Sequence, residues 1–461
     1  GVQTCALPIY LTALLVARDR ALAMGHDPAR LRLIVGEHAH YTLLRARHVL
    51  GLPAEALVVI PSRTDLSMDV AALQARLAEL RLQHAPVMAV VAAAGCTANG
   101  AFDDLAAIGR ESAKAGAWFH VDAAHGGAAL LSPQLQGRLK GLALADSVVI
   151  NPHKMFFVAA PCSVLLCRRR ADFAASLDVG LESASYVIPD GATLDTVADG
   201  DEPLRWTLAC TRFFSAFRLY AALSAYGVDG IAARVARCCD LAVFLHDLIR
   251  ASADFEVLCA PAFNMVCFRY RPAHQSDAEA DDLNRRLRRR IVDGGDAYLT
   301  GCVAAGRYWL RAQIMSENTD EAALGRLLPL LRRLGARVLL IERRDRWAAA
   351  AALADVHLAL APAAALAHPE VAAAGAALVM HHHFEFDREA LEALAPSSIA
   401  FVGLLGPRRR RDDLFRVLPA TARTSLEPRL HAPIGLDLGG FGAEAIALST
   451  AAQWQAWRHG A

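Results

Sequence analysis

The chain has 461 residues, of which 55% are hydrophobic, and its mean hydropathy is +0.28. This composition excludes an intrinsically disordered protein, and the length suffices for two or three domains. Its 48 Lys and Arg residues balance 47 Asp and Glu residues, so net charge favours neither nucleic acid nor an anionic membrane as a partner. Charged residues interrupt every apolar stretch before the roughly 18 residues of a membrane span, and we expect no signal peptide.

Ten cysteines are scattered along the chain without a CxxC motif. In a chain of this size, scattered cysteines indicate reduced thiols rather than a disulfide scaffold or a zinc ribbon. We therefore expect a cytoplasmic protein, and we predict no metal site.

The first nine residues, GVQTCALPI, correspond to the translation of a common sequencing-adapter oligonucleotide. The next adapter base is also the first base of a Tyr codon, and residue 10 is Tyr10. We therefore expect residues 1–10 to be an adapter-derived artefact, and we exclude Gly1–Ile9 from the prediction of the fold. An ordinary N-terminus is the alternative, and genomic sequence across these codons decides between the two.

From Leu11 to Cys167, short apolar runs alternate with helical patterns. The predicted strands are 31–35, 56–60, 87–94, 118–121, 147–150 and 163–167. The predicted helices include 11–24, 69–82, 103–115 and 134–144, and a further one ends near residue 50. This alternation predicts a mainly parallel sheet covered on both faces, with ligands at the carboxyl ends of its strands.

Beyond Cys167 the pattern predicts a smaller α+β domain, and from Ala336 a new α/β pattern begins. The smaller domain combines helices at 207–226, 230–252, 276–292 and 319–334 with strands near 255–269 and at 308–314. The last part has predicted strands at 338–342, 377–380 and 399–404. We therefore expect domains at 11–170, 171–335 and 336–461.

Two strand ends carry the candidate chemistry. Asp122 follows an apolar strand and precedes small residues and two glycines, and Lys154 follows the next apolar strand, 32 residues later. Taken alone, Asp122 is typical of a turn or helix-capping carboxylate, and Lys154 of a surface lysine. Together they provide what pyridoxal 5′-phosphate (PLP) needs: an amine for a Schiff base and an acid that keeps the pyridine nitrogen protonated.

These motifs resemble the group II PLP-dependent amino-acid decarboxylases, whose fold is the aspartate-aminotransferase-like α/β fold, type I. The resemblance covers about residues 11–335. It rests on HVDAAHGG (120–127), ADSVVINPHK (145–154), GEHAHYTLLRARHVLGL (36–52), GCTANGAFDDL (95–105) and RYWLRAQIMSENTDE (307–321).

The resemblance implies a cofactor role for seven residues. Lys154 forms the Schiff base with PLP, and Asp122 pairs with the pyridinium nitrogen. The other five lie around the cofactor: His40 and Ala124 on the two faces of the ring, Thr97 close to it, and Asn151 and His153 at the phosphate.

Two further roles concern the substrate. The resemblance implies that Arg311 binds a substrate carboxylate, and that Tyr186 or His40 protonates the carbanion. Tyr186 would act across the interface of a homodimer, although a packing or surface aromatic is an equal alternative for this residue. His38 competes with His40 for its assignment, and Ala39-His40 matches the family motif better.

The function implied is decarboxylation of an L-amino acid to its amine and CO₂, with another fold-type-I activity, such as a transaminase, as the alternative. The resemblance does not identify the amino acid. In the family, a phosphate-binding turn precedes the position of Leu11, and the adapter-like residues replace it here. We therefore expect weak or no PLP binding by this chain.

Residues 325–460 resemble the Rossmann-like domain of the XdhC/CoxI family, accessory proteins of xanthine dehydrogenase and related molybdenum enzymes. The resemblance rests on LVMHHHFEFD (378–387), FVGLLGPRRR (401–410) and LHAPIGLDLGG (430–440). The first Rossmann strand, with its Gly-x-Gly turn, is not visible, which leaves dinucleotide binding open. A molybdenum-enzyme accessory protein and a non-functional chimera are therefore the rival readings of the whole chain.

Three features of this C-terminal part are candidates for ligand contacts. Glu342 lies where a ribose-binding acid is expected. His381 or His383 belongs to a polar site, because adjacent histidines on an extended segment point to opposite faces and do not easily bind one metal ion. The arginines at 408–411 bind a phosphate or form a solvated helix start.

Overall fold

The computed structural model describes residues 6–177, 208, 214–272, 275–335, 338–344, 351, 354–439 and 442–458. The chain forms two compact units, Gly1–Gly335 and Ala336–Ala461. Within the described ranges, every helix is too short or too polar to cross a membrane.

The first unit contains a six-stranded sheet in the order β2-β1-β3-β4-β5-β6. Its strands are β1 (Arg32–Gly36), β2 (Leu57–Ile60), β3 (Val87–Ala93), β4 (Trp118–Asp122), β5 (Ser147–Ile150) and β6 (Val164–Cys167). The first five strands are parallel, and β6 pairs antiparallel with β5 at the edge.

Both faces of this sheet are covered. On β1, Leu33 and Val35 pack into one hydrophobic cluster and Ile34 packs into another, because successive side chains of a strand point to opposite faces. The covering helices are α1 (Ala6–Ala23), α2 (Thr42–Val49), α3 (Val70–Leu82), α4 (Leu105–Lys114) and α5 (Arg170–Leu177). Residues of α1, α2 and α5 belong to the first cluster, and residues of α3 and α4 belong to the second.

One expectation about this region is wrong. The helix predicted at 134–144 is instead a pair of short 3₁₀ helices, Gln136–Leu139 and Leu142–Leu144. Gly141 separates them at φ +98°, and a Cβ atom there would lie 2.4 Å from the backbone nitrogen of Ala106, so the chain turns closely against α4. At the other end, α1 begins inside the nine residues excluded above, and Tyr10 is buried in the core.

The first unit continues with an antiparallel sheet in the order β7-β8-β10-β9. Its strands are β7 (Phe255–Val257), β8 (Met265–Tyr270), β9 (Thr300–Ala304) and β10 (Arg307–Gln313). The accompanying helices are α6 (Ser215–Arg250), α7 (Asp277–Asp293), α8 (Glu321–Gly325) and α9 (Leu327–Leu334). Two helices were predicted where α6 lies, and their junction corresponds to Gly227, whose φ of +66° and ψ of 169° break the helical geometry.

Helices α8 and α9 pack with the first unit. Leu324, Leu328 and Leu331 belong to the same hydrophobic cluster as α6 and β8. The guanidinium of Arg332 donates two hydrogen bonds, of 2.7 and 2.6 Å, to the carboxylate of Asp254. The segment therefore closes the first unit before the second begins.

The second unit has parallel strands that alternate with helices. Strands β11 (Leu339–Ile341) and β12 (Val356–Leu358) form one pair, and β13 (Ala376–Val379), β14 (Phe401–Leu404) and β15 (Leu430–His431) form a three-stranded sheet. The helices are α10 (Pro362–Leu366), α11 (Pro369–Ala372), α12 (Phe384–Leu394), α13 (Arg408–Val417), α14 (Ala420–Leu426) and α15 (Ala443–Arg458). A cluster around Leu391, Val402 and Leu414 forms its core.

The turn that follows β4 depends on a glycine. A Cβ atom on Gly126 would lie 2.5 Å from the carbonyl oxygen of Ala94 and 2.6 Å from the Phe102 ring. We expect Gly126→Ala to lower the free energy of unfolding by about 1–3 kcal/mol, because the backbone carbonyl must move. Urea unfolding measures this change, with Gly137→Ala, which has open space around it, as the control. Equal losses in the two variants would contradict the packing argument.

Candidate active site

The carboxyl ends of β1, β3, β4 and β5 lie side by side in the sheet. His40, Thr97, Asp122 and Lys154 occupy or follow these four strand ends. The order reverses here, because β2 lies on one side of β1 and β3 on the other. Such a reversal opens a crevice at the carboxyl edge of a parallel sheet, which is where ligands bind.

Asp122 and Lys154 share one electrostatic environment. Burial lowers the pKa of the Lys154 amine, the Asp122 carboxylate opposes that change, and the charge of Arg311 adds to it. The Asp122 carboxylate accepts a hydrogen bond of 3.1 Å from the backbone N–H of Ala124, which orients it at the end of β4. A lowered pKa increases the share of neutral amine, which is the nucleophilic form of lysine.

His40 lies within the influence of the same two charges. Burial lowers the pKa of its imidazole, Asp122 opposes that change, and Lys154 adds to it. Its Nδ1 atom lies 2.7 Å from the Thr42 hydroxyl and also accepts from the Thr42 backbone N–H at 3.3 Å. An accepting Nδ1 leaves the proton of the neutral ring on Nε2.

Tyr10 is a site residue that the sequence reasoning missed. Its ring is parallel to that of His40, with centroids 6.1 Å apart, and its hydroxyl hydrogen-bonds Asp122. Burial and the Asp122 charge raise the pKa of this hydroxyl well above its ordinary value. The prediction missed this contact because residues 1–10 were set aside as an artefact.

Three other predicted residues, Ala124, Asn151 and Thr97, follow the ends of β4, β5 and β3. The backbone N–H of Asn151 donates to the carbonyl of Ala124 at 3.1 Å, which joins the ends of β4 and β5. Ala124 and Asn151 are buried, and the Asn151 Oδ1 atom has no partner among the described residues. Thr97 is exposed after β3, and Tyr186 lies outside the described residues.

His153 has one ring nitrogen already engaged. Its Nδ1 atom lies 2.5 Å from the carbonyl oxygen of Cys162 and therefore carries a proton. A neutral ring with Nδ1 protonated has no N–H on Nε2, so His153 donates a second hydrogen bond only as an imidazolium. Burial lowers the pKa of this ring, and the Cys162 hydrogen bond opposes that change. His153 therefore donates a hydrogen bond to a phosphate only if the negative charge of the phosphate stabilises the His153 imidazolium.

Arg311 lies on β10 with its Nε–H unpaired among the described residues. Its Nη1 donates to the Thr300 hydroxyl at 2.7 Å, and its Nη2 donates to the side-chain oxygen Oε1 of Gln313 at 2.6 Å. Its Nε is buried without a partner, and no carboxylate in the described part of the chain forms a salt bridge with it. A buried guanidinium without a counter-ion is suited to an external carboxylate, which accepts charge-assisted hydrogen bonds.

Gln313 leads to two more polar groups that were not predicted. The Nε2 atom of His125 lies 2.7 Å from the side-chain oxygen Oδ1 of Asn264. The side-chain amide nitrogen of Gln313 lies 3.4 Å from both nitrogens of the same ring. His125 and Asn264 are both buried. His125 is 139 positions from Asn264 and 188 positions from Gln313, so no local sequence pattern connects these residues.

In the second unit, His381 and His383 face different neighbours. The imidazole of His381 and the guanidinium of Arg410 both contact the buried carboxylate of Asp387, at 3.2 and 2.8 Å. Burial raises the pKa of Asp387, but hydrogen bonds from His381 and Arg410 outweigh it, and the net shift is downward. His383 packs on the Phe386 ring at 4.5 Å.

Glu342 and the arginines at 408–411 also form ion pairs with other side chains. The Glu342 carboxylate accepts a hydrogen bond of 2.8 Å from Arg344, which lowers the pKa of Glu342 to about 2. The arginine run begins α13, where Arg411 contacts Asp412 at 2.6 Å and Arg410 contacts Asp387. Three of the candidate groups for ribose or phosphate contacts therefore already form internal ion pairs.

The parallel sheet, its antiparallel companion and the paired strand-end residues define the fold-type-I class of PLP-dependent proteins. Residues 12–271 match the family model of the pyridoxal-dependent decarboxylase conserved domain. The chain therefore belongs to the pyridoxal-dependent decarboxylase family. Residues 320–454 match the XdhC Rossmann domain, so both resemblances stated above are confirmed.

Curated relatives are similar over most of the first unit. An L-2,4-diaminobutyrate decarboxylase of Rhizobium meliloti is 30% identical over 71% of this chain and 63% of its own length. A glutamate decarboxylase-like protein of Gibberella zeae is 30% identical over 62% of this chain and 61% of its own length. Tryptophan decarboxylase 2 of Oryza sativa is 28% identical over 73% and 68%. The chain thus spans about three fifths to two thirds of the length of these relatives.

Solved structures confirm the predicted α/β fold of the first unit. The crystal structure of Oryza sativa TDC with PLP and tryptamine has a TM-score of 0.67 at 27% identity, over 71% of this chain and 68% of that one. Mouse CSAD has a TM-score of 0.64 at 25% identity, over 71% and 69%.

The charge pair at the strand ends gives a direct test of the site. We expect the Lys154 amine to titrate below its ordinary value of about 10.4, and lower still in Asp122→Asn, because that variant loses the opposing negative charge. NMR of ¹³C-methylated lysines measures the pKa, since the chain has only Lys114, Lys140 and Lys154. Asp172→Asn, a change elsewhere on the surface, serves as the control. An unchanged or raised Lys154 pKa in Asp122→Asn would contradict the electrostatic interaction between Asp122 and Lys154.

Proposed function

We propose that the chain is a PLP-dependent carboxy-lyase that converts an L-amino acid to its amine and CO₂, with Lys154 as the amine that binds the cofactor. One observation carries the proposal: a partly buried amine of lowered pKa lies under the combined influence of Asp122 and of Arg311, which has no counter-ion among the described residues. Membership of the decarboxylase family supports the reaction class.

The residues present fit PLP. Lys154 and Asp122 match the aldehyde and the ring nitrogen, and Ala124 is small enough to lie against a ring face. The unpartnered Asn151 Oδ1 atom is an acceptor, so a contact of Asn151 with the phosphate would have to come from its amide nitrogen. When bound, PLP supplies an electron sink for the electrons of the breaking bond between Cα and the carboxylate.

Each residue of the chain then has a distinct task. The Asp122 carboxylate holds a proton at the ring nitrogen, which stabilises developing negative charge in a site with little water. The lowered pKa of Lys154 favours its nucleophilic neutral form, and Arg311 binds a carboxylate of the substrate through its guanidinium. These tasks require the three side chains to keep their relative positions during turnover.

The proton for Cα comes from Tyr186 or His40. His40 carries its ring proton on Nε2 and, with a lowered pKa, is a neutral imidazole, which is a weak acid. This favours stacking as the task of His40 and proton donation as the task of Tyr186.

Several amino acids, and two reactions of the same fold type, are compatible with these residues. The names of the relatives include tryptophan, L-2,4-diaminobutyrate and L-aspartate decarboxylases, so family membership does not select one amino acid. A transaminase would use the same Lys154 and Asp122. Release of CO₂ favours the decarboxylase, and transfer of the amino group to a keto acid favours the transaminase.

The assembly that we propose is a cytoplasmic homodimer. Large apolar side chains, including Phe214, Phe217 and Tyr220, are exposed on and beside the first turns of α6, which supports a partner surface. All eight described cysteines are free thiols, which supports a reducing compartment.

A second candidate function concerns residues 320–454 and is supported by their match to the XdhC Rossmann domain. We propose it as an accessory role for a molybdenum enzyme. Molybdopterin retained by the full chain after gel filtration supports this role, and its complete loss speaks against it.

Lys154 is the residue on which the proposed function depends most. We expect borohydride reduction in the presence of PLP to attach the cofactor to Lys154, and Lys154→Ala to lose both this adduct and CO₂ release. Mass spectrometry of the reduced peptides identifies the lysine, and Lys140→Ala is the control because Lys140 is exposed. Decarboxylation at the normal rate by Lys154→Ala would refute the assignment.

A further inference from the structure

A continuous set of hydrogen bonds leads away from Arg311. Arg311 Nη2 donates to Gln313 Oε1 at 2.6 Å, and the Gln313 amide nitrogen lies 3.4 Å from the His125 ring. His125 Nε2 lies 2.7 Å from Asn264 Oδ1, and Asn264 Nδ2 donates to the carbonyl of Ile314 at 2.7 Å. The set therefore starts at a guanidinium, which can only donate, and ends at a carbonyl, which can only accept.

These two ends determine the direction of every bond between them. Gln313 accepts from Arg311 with its oxygen, so its amide nitrogen donates to His125. Asn264 donates to Ile314 with its nitrogen, so its oxygen accepts from His125 Nε2. His125 is therefore neutral, with its proton on Nε2, and the Gln313 amide nitrogen lies 3.4 Å from both of its ring nitrogens.

Burial maintains this arrangement. His125 and Asn264 are 3% and 0% exposed, and burial together with the charge of Lys154 lowers the pKa of His125 to about 3, against the Asn264 hydrogen bond. A protonated His125 would place an N–H donor against the Gln313 N–H donor. The chain of hydrogen bonds thus has a single arrangement at neutral pH.

The same groups connect the two sheets of the first unit. Gln313 and Arg311 lie on β10, whereas His125 lies three residues beyond Asp122 at the end of β4. Asn264 Nδ2 also lies 3.1 Å from the sulfur of Met155, the neighbour of Lys154. These contacts therefore connect β10, which carries Arg311, to the segments that carry Asp122 and Lys154.

We propose that Gln313, His125 and Asn264 are positioning residues that hold the Arg311 guanidinium in a fixed orientation for binding a substrate carboxylate. The inference rests on the proposed function and extends it to residues that touch neither substrate nor cofactor. Thr300 and Gln313 each accept from one terminal nitrogen, and Nε has no partner among the described residues, so the donors left for a carboxylate are Nε–H and the second N–H of each terminal nitrogen.

The first experiment measures Arg311 in the full chain without added cofactor or substrate. The Nε–H signal of Arg311 is identified in ¹⁵N-arginine-labelled protein by its loss in Arg311→Lys. We expect its exchange with water to be at least tenfold faster in Gln313→Leu and in His125→Leu, because the guanidinium loses its anchor. His246→Leu, which removes another buried histidine, should leave the rate unchanged. Unchanged exchange in Gln313→Leu and His125→Leu would overturn the proposal.

The second experiment uses the protein loaded with PLP and the best amino-acid substrate. We expect Gln313→Leu to raise KM about ten- to hundredfold, as for the loss of a hydrogen bond to a charged group, with kcat changed less than threefold. His125→Gln should retain most of the affinity, because a glutamine amide also donates one hydrogen bond and accepts another, whereas His125→Leu should not. Equal KM values for Gln313→Leu and the unchanged chain, or equal losses in the two His125 variants, would overturn the proposal.

The two experiments separate failure of this inference from failure of the proposed function. If no amino acid releases CO₂ with the unchanged chain and PLP, the proposed function fails, and Arg311 Nε–H exchange still decides whether the three residues anchor the guanidinium. If CO₂ is released but neither exchange nor KM responds to the variants, the function stands and the inference fails.

Discussion

The site depends on the opposition of one negative charge and two positive charges within a buried space. Asp122 favours protonation of Lys154, whereas burial and Arg311 disfavour it, and the second effect is larger. Because β4 and β5 are parallel neighbours, their carboxyl ends bring the acid and the amine together without any long-range adjustment. An amine of lowered pKa beside a carboxylate is the minimum that PLP chemistry requires.

The same balance accounts for the neighbouring histidines. His40, His125 and His153 all have pKa values lowered by burial, and the Lys154 charge contributes to each of these shifts. Burial and the Lys154 charge thus favour neutral imidazoles at these three positions, which suits hydrogen bonding and stacking better than proton donation. Arg311 keeps its charge because its unperturbed pKa is so high, and it is the group left to attract an anion.

Much of the first unit could be predicted from the sequence, because buried parallel strands are continuous apolar runs and the ligand-bearing residues follow them directly. Asp122 and Lys154 were found in this way. The 3₁₀ helices in place of a helix at 134–144 were not predicted. Gly141 has a positive φ because the chain approaches α4 closely there, and such a tertiary contact is not visible in the local sequence. Gln313 and Asn264 were missed because their partners come from distant parts of the chain, where local periodicity carries no information.

The most direct measurement of the central claim is the ¹⁵N chemical shift of pyridine-labelled PLP bound to the full chain at pH 8. If Asp122 and Lys154 hold one cofactor ring between them, the pyridine nitrogen is protonated at this pH and becomes unprotonated in Asp122→Asn. A bound cofactor whose pyridine nitrogen is already unprotonated in the unchanged chain would contradict the account.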